Sequence, residues 1–185
     1  MNTFNFLNKF EYRQGNIFEQ NDLNYIAHQC NCFHCMNAGI AGQIAKLYPQ
    51  VAEYDKYHSK YGDLNKLGTI QIIPIISNNK INFNLNGIIN MYSQYYPGHY
   101  KTKIEYFERL NAIEKCLNQI KIYFEQNYLK NKKNIKIGFP YLIGCGISGL
   151  KEKDVLDIFS NIFNNNNDSF IKIIFIDFNN KLNSF

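Results

Sequence analysis

The chain repeatedly alternates short apolar runs of β character with longer segments of helical spacing. This alternation restricts the folds open to it more than any other feature. Strand-type runs fall at residues 11–14, 25–30, 68–75, 87–93, 135–139 and 170–178, with an edge strand expected at 80–83. Helical segments lie between them. Ile40, Ile44 and Leu47 share one face of a helix over 39–47, Pro49 breaks the chain, and a second helix follows over 51–60. The longest helix starts at Thr102-Lys103-Ile104-Glu105, where the Thr oxygen can accept from the third amide while the Glu reaches back, and it runs to about Tyr128. A last helix spans 151–163. Strands joined by crossovers of this length pair in parallel, so the chain is expected to form an α/β domain with a largely parallel sheet covered by helices on both faces.

Length and composition support one such unit. The 185 residues fit a single domain, 1–185, able to bury a core. Hydrophobic residues make up 45% and charged residues 19%, too apolar for a disordered chain and too little charge for a coiled coil. The longest apolar runs, 70–76 and 171–176, are far shorter than the roughly 20 residues a bilayer span needs. Residues 1–11 lack the apolar stretch of a secretory signal, so a cytoplasmic protein is expected, with a nuclear location left open. The net charge of +5 is mild. Its one cluster, Lys130, Lys132, Lys133 and Lys136, follows a helix whose carboxyl end attracts cations without any partner, so nucleic acid is not required. Five cysteines without a signal sequence read as reduced thiols.

Two loops can carry chemistry, because ligands of open α/β sheets sit at the carboxyl ends of strands. The first, His28-Gln29-Cys30-Asn31-Cys32-Phe33-His34-Cys35-Met36-Asn37-Ala38-Gly39-Ile40-Ala41-Gly42, leaves a strand and enters a helix. Its small residues allow close approach to unpaired helix amides, an arrangement suited to phosphate. The second, Ile143-Gly144-Cys145-Gly146-Ile147-Ser148-Gly149-Leu150, repeats that context, so the two can close over a diphosphate from both sides. Neither loop has the full G-x-G-x-x-G context of a dinucleotide dehydrogenase, and the expected acidic residue is missing.

These pieces, in order, resemble the macrodomains, specifically the branch of ADP-ribose 1''-phosphate phosphatases. The matching segments are Tyr12-Arg13-Gln14-Gly15-Asn16-Ile17, Ile26-Ala27-His28-Gln29-Cys30-Asn31-Cys32, Gly39-Ile40-Ala41-Gly42-Gln43-Ile44-Ala45-Lys46-Leu47-Tyr48-Pro49, Leu67-Gly68, Ile89-Asn90-Met91-Tyr92-Ser93-Gln94-Tyr95, Gly138-Phe139-Pro140 and Ile143-Gly144-Cys145-Gly146-Ile147. The resemblance implies a three-layer α/β/α sandwich around a mixed, largely parallel sheet. It also implies a monomer that binds ADP-ribose or a derivative and uses no cofactor, metal or membrane.

The same resemblance places the site. Asn16, with Ile17, stands where many macrodomains carry an Asp that accepts from the adenine amino group; an amide carbonyl accepts more weakly. Asn31 corresponds to an Asn that bonds the distal ribose, and is expected to share in catalysis. Backbone amides of Ala38, Gly39, Ile40 and Ala41, and of Gly144, Cys145, Gly146 and Ile147, would hold the diphosphate and the 1''-phosphate. Tyr92 would line the pocket and Phe178 flank the adenine. His28 is the expected general base or nucleophile, since imidazole can act near neutral pH. The Lys and Asp that serve ADP-ribosyl glycohydrolysis in a related branch are replaced by Gln94 and Ser148, and a neutral amide cannot form the covalent ribose adduct that an amine forms.

Other readings remain open. ADP-ribose binding needs no catalyst, so a non-catalytic reader module is one alternative. A hydrolase of ADP-ribosyl groups by another route is a second. Cys30, Cys32 and Cys35 with His28 and His34 have a composition that zinc can use, although the second ligand pair expected of a structural site is distant. Cys32-Phe33-His34-Cys35 also has the C-x-x-C form of a redox site.

Overall fold

The computed structural model describes residues 10–75, 84–163 and 170–178. The edge strand expected at 80–83 lies outside them. Six strands are present: β1 (Glu11–Gln14), β2 (Tyr25–Asn31), β3 (Ile70–Pro74), β4 (Gly87–Gln94), β5 (Ile135–Pro140) and β6 (Ile171–Asp177). Four α-helices accompany them: α1 (Gly39–Leu47), α2 (Pro49–His58), α3 (Lys103–Asn131) and α4 (Glu152–Ile162). The strands form one sheet in the order β1-β6-β5-β2-β4-β3. Every pairing is parallel except β3 with β4 at the edge. The sheet is thus mixed and largely parallel, as expected.

Alternation along the strands divides the core in two. Neighbouring side chains point to opposite faces, so Ile26 and Ala27, Ile88 and Ile89, and Ile174 and Phe175 each fall in different buried clusters. One cluster holds the apolar stripes of α3 and α4, with Phe139, Phe159 and Phe175 packed ring to ring; Phe159 and Phe175 have centroids 4.9 Å apart. The other holds Ile44 of α1, Val51 of α2 and Tyr48 between the two helices. Helices on both faces complete the three-layer α/β/α sandwich.

Local signals fix the helix ends. Thr102 caps α3 by accepting from the Glu105 amide at 3.1 Å, and the Glu105 carboxylate accepts from the Lys101 amide at 2.5 Å, one residue beyond the usual reciprocal bond. Pro49, read from sequence as a break, also starts α2, because Pro at the first helical position lacks only an N–H that has no helical partner there. Two 3-10 turns, Ile17–Glu19 and Leu64–Lys66, were not expected; Asn16 and Asp63 cap them by accepting from amides two residues on.

Candidate functional site

All five parallel strands end on the same side of the sheet, and their exit loops enclose one cavity of about 450 Å³. Gly15 after β1, Asp177 of β6, Pro140 of β5, Asn31 of β2 and Gln94 of β4 all line it. The two loops singled out from sequence form its opposing walls. Ala38, Gly39, Ile40 and Ala41 line one, and Gly144, Gly146 and Ile147 line the other, with Asn16, Ile17 and Phe178 closing the end at β1 and β6. Ile147 and Phe178 are 60% and 62% exposed, large apolar surfaces at the cavity that a ligand can cover.

The walls present backbone donors. Ala38, at the cap of α1, supplies no side-chain acceptor, so the first amides of the helix stay open. In the second loop the amides of Gly144, Gly146, Ile147 and Ser148 have no acceptor among the described residues. Glycine is needed at Gly39 and Gly144, whose φ values of +56° and +79° disfavour other residues. Open amides on two facing walls, one a helix N-terminus, suit a diphosphate.

The structure corrects four expectations. His28 borders the cavity but is only 1% exposed, and its Nε2 is 2.7 Å from the Asn90 side-chain oxygen with Cys30 Sγ alongside. Burial pushes its pKa down to about 4, against the opposing effect of the Asn90 bond. Burial and the Asn90 bond disfavour this imidazole as general base or nucleophile. Asn31 borders the cavity as well, but its side chain folds the loop: Nδ2 donates to the Cys35 carbonyl at 2.7 Å, and Oδ1 accepts from the amides of Phe33 and Cys35. One amide hydrogen remains for a ligand, which fits contact and not catalysis.

Tyr92 does not reach the cavity. Strand alternation turns it to the α2 side, where its hydroxyl is shared between Asp55 and Gln71 and burial pushes its pKa strongly upward. Cys145 is also absent from the lining. Its amide donates to the Leu142 carbonyl at 2.9 Å and its thiol faces the Ile143 carbonyl, so neither is turned to a phosphate.

Asn16 lines the cavity as expected, although its Oδ1 also caps the 3-10 turn and its Nδ2 donates to Glu19. Asp177 at the same end was missed. It is an acidic residue closing a strand whose inward positions are apolar, which was the available signal, and it is 4% exposed. Gln29 and Cys35 also line the cavity unforeseen. The cysteines and histidines near the first loop do not assemble a metal site: among the described residues no group of three or more His, Cys, Asp or Glu is placed to hold an ion. Cys30 and Cys32 are buried, and burial raises both thiols, Cys32 to about 11, which opposes C-x-x-C redox chemistry.

A mixed sheet of this order, helices on both faces and paired loops over its carboxyl edge define the macrodomain fold. Solved structures agree. The macrodomain of Mycobacterium tuberculosis DarG superposes with a TM-score of 0.66 at 16% identity, covering 90% of this chain and 97% of that one. Thermosipho africanus DarTG in complex with ADP-ribose gives 0.66 at 15% identity over 92% of this chain and 42% of its own. The Oceanobacillus iheyensis macrodomain with MES bound gives 0.63 at 15% identity over 92% and 84%. At these identities the likeness is one of fold. In sequence, the chain is 32% identical over 105 residues to an uncharacterized 17.5 kDa protein of the tk-vs intergenic region of Enterobacteria phage T4. That match takes in 57% of this chain, which spans 61% of the phage protein's length. No family model matches the chain.

Proposed function

We propose that this chain binds ADP-ribose, with the diphosphate between the α1 amides and the 144–148 loop. The observation that carries this reading is the set of open amides on two facing walls of one cavity. One structural neighbour, the Thermosipho DarTG, is in complex with ADP-ribose. The adenine belongs at the β1 and β6 end, where Asn16 and Asp177 offer acceptors and Phe178 an exposed ring. The terminal ribose then lies toward Asn31 and Gln94.

Hydrolysis of ADP-ribose 1''-phosphate is a second reading. Neutral Gln94 and Ser148 favour it over an amine-dependent glycohydrolysis, while the burial of His28 favours binding without catalysis. Calorimetric titration with ADP-ribose, ADP and AMP tests the first reading. ADP-ribose is expected to bind most tightly and AMP most weakly; equal binding of all three, or none, overturns it. Phosphate release from ADP-ribose 1''-phosphate tests the second, and release no faster than a blank leaves the binding function alone.

A further inference from the structure

At the β1 and β6 end of the cavity, a capped turn fixes which atoms the wall shows. The Gly15 amide donates to the Asp177 carbonyl at 3.1 Å, so Asn16, the next residue, stands beside the end of β6. Asn16, Ile17, Asp177 and Phe178 all line the cavity there. The Asn16 side chain is held one way round by its partners. Its Oδ1 accepts from the Phe18 amide at 3.1 Å, a contact that needs an oxygen, and its Nδ2 donates to Glu19 Oε1 at 3.0 Å, a contact that needs a nitrogen.

Each of these bonds uses half of what the amide has. Nδ2 keeps a second hydrogen and Oδ1 a second lone pair, so half-buried Asn16 presents a donor as well as an acceptor. The Ile17 amide beside it is a further donor, with no acceptor among the described residues. Asp177 brings a carboxylate, which has only acceptor sites, to the same end. The exposed ring of Phe178 stacks on any base, because every base has a π-face. Selectivity among purines therefore falls to the polar groups. Adenine offers an exocyclic amino donor next to a ring-nitrogen acceptor. An oxopurine such as hypoxanthine offers the same two functions exchanged, an exocyclic oxygen next to a ring N–H. A wall that holds donors and acceptors side by side pairs with either edge, whereas an acceptor-only wall leaves the oxopurine oxygen without a hydrogen bond.

We propose that Asn16 sets the base selectivity of this site and that its spare Nδ2 hydrogen admits oxopurine diphosphate riboses alongside ADP-ribose. The proposal rests on the ADP-ribose reading and deepens it, widening the ligand class from adenine to purines. An aspartate at this position would keep the oxygen that caps the Phe18 amide but would set a charged acceptor against the exocyclic oxygen. Discrimination between the two bases thus turns on one hydrogen.

The test measures the affinity of the full chain for ADP-ribose, for inosine diphosphate ribose and for the purine analogue that carries hydrogen in place of the exocyclic group. The first two are expected to agree within about threefold, and the third to bind about fivefold more weakly than both, having lost one hydrogen bond. Asn16→Asp should separate ADP-ribose from inosine diphosphate ribose by about tenfold or more in favour of ADP-ribose. Loss of fold would weaken all three ligands together, so the ratios separate selectivity from damage. Should Asn16→Asp fail to fold, the three ligands on the original chain carry the comparison. A tenfold preference of the original chain for ADP-ribose overturns the proposal, as does equal binding of all three, which would mean that the base edge is not read. An unchanged ratio in a folded Asn16→Asp overturns it as well. Each of these results leaves ADP-ribose binding standing; if none of the ligands binds, both readings fall.

Discussion

His28 shows how a chemically capable side chain can be placed where its chemistry is suppressed. It shares the α1–α2 face of the sheet with Ile26 and Cys30, and the layer above closes over it. Holding the imidazole neutral makes stability depend on pH. Its folded pKa, about 4, lies below the 6.5 of a free histidine, so the unfolded chain binds more protons between those values. The stabilisation from keeping it neutral is complete above about pH 6.5 and is lost as pH falls toward 4, amounting to roughly 3 kcal/mol. Urea unfolding at pH 7 and pH 5 should show about 2 kcal/mol of this loss, and His28→Gln should flatten it; an equal slope in the variant would place the proton elsewhere. Asp22 and Glu11 do not supply it. Arg13 holds the Asp22 carboxyl well below its usual range, and Lys172 lowers Glu11, so their losses fall at lower pH. Sequence showed that a histidine and an asparagine stand at the strand exit, because residue type and spacing are local. It did not show their partners, since Asn90 is 62 residues from His28 in the chain. Arg109 is legible in the sequence as a charged residue on the stripe of Tyr106, Ile113, Leu117 and Phe124, where it must find internal acceptors.

At the scale of elements, α2 is fastened by a buried charge pair as well as by Val51. Its Asp55 accepts from Lys66 Nζ at 2.7 Å and from the Tyr92 hydroxyl at 2.6 Å, while Lys66 also donates to Ser59 and lies 4.2 Å from the Tyr92 ring centroid. These bonds tie α2 to β4 through the Leu64–Lys66 turn. Lys66→Met leaves the Asp55 carboxylate buried without its cation and should cost about 3–5 kcal/mol in chemical denaturation. Replacing Lys66 and Asp55 together by apolar residues should cost less than the single change, because no charge is then stranded; a double variant as unstable as the single one would argue against the pair. Thr102→Ala removes an exposed cap and should cost about 1 kcal/mol. The regular elements were readable because apolar spacing and caps are written over a few residues. The 3-10 turns were not: three residues establish no period, and Asn16 and Asp63 also fit simple turns.

For the whole molecule, the cavity draws on both halves of the core. The α1 wall rests on the cluster of Ile26, Ile44 and Ile88, whereas Ile143 and Leu150 anchor the 144–148 loop in the cluster of Phe139 and Phe175. A ligand held by both walls binds only while both layers are in place, so it favours the native state over any partly opened form. Saturating ADP-ribose should therefore stabilise the chain by about 2.7 kcal/mol at a hundred times its Kd, read as a rise in Tm. AMP, which lacks the second phosphate and the terminal ribose, should give a smaller rise at the same concentration. Gly146 allows binding and folding to be separated. A Cβ there meets nothing within 4 Å, and its φ lies outside the left-handed region, so a larger residue enters open cavity without straining the loop. Gly146→Val should keep the Tm of the free chain within a few degrees and abolish the rise on adding ADP-ribose. A variant that still shows the full shift would put the diphosphate somewhere other than between these walls.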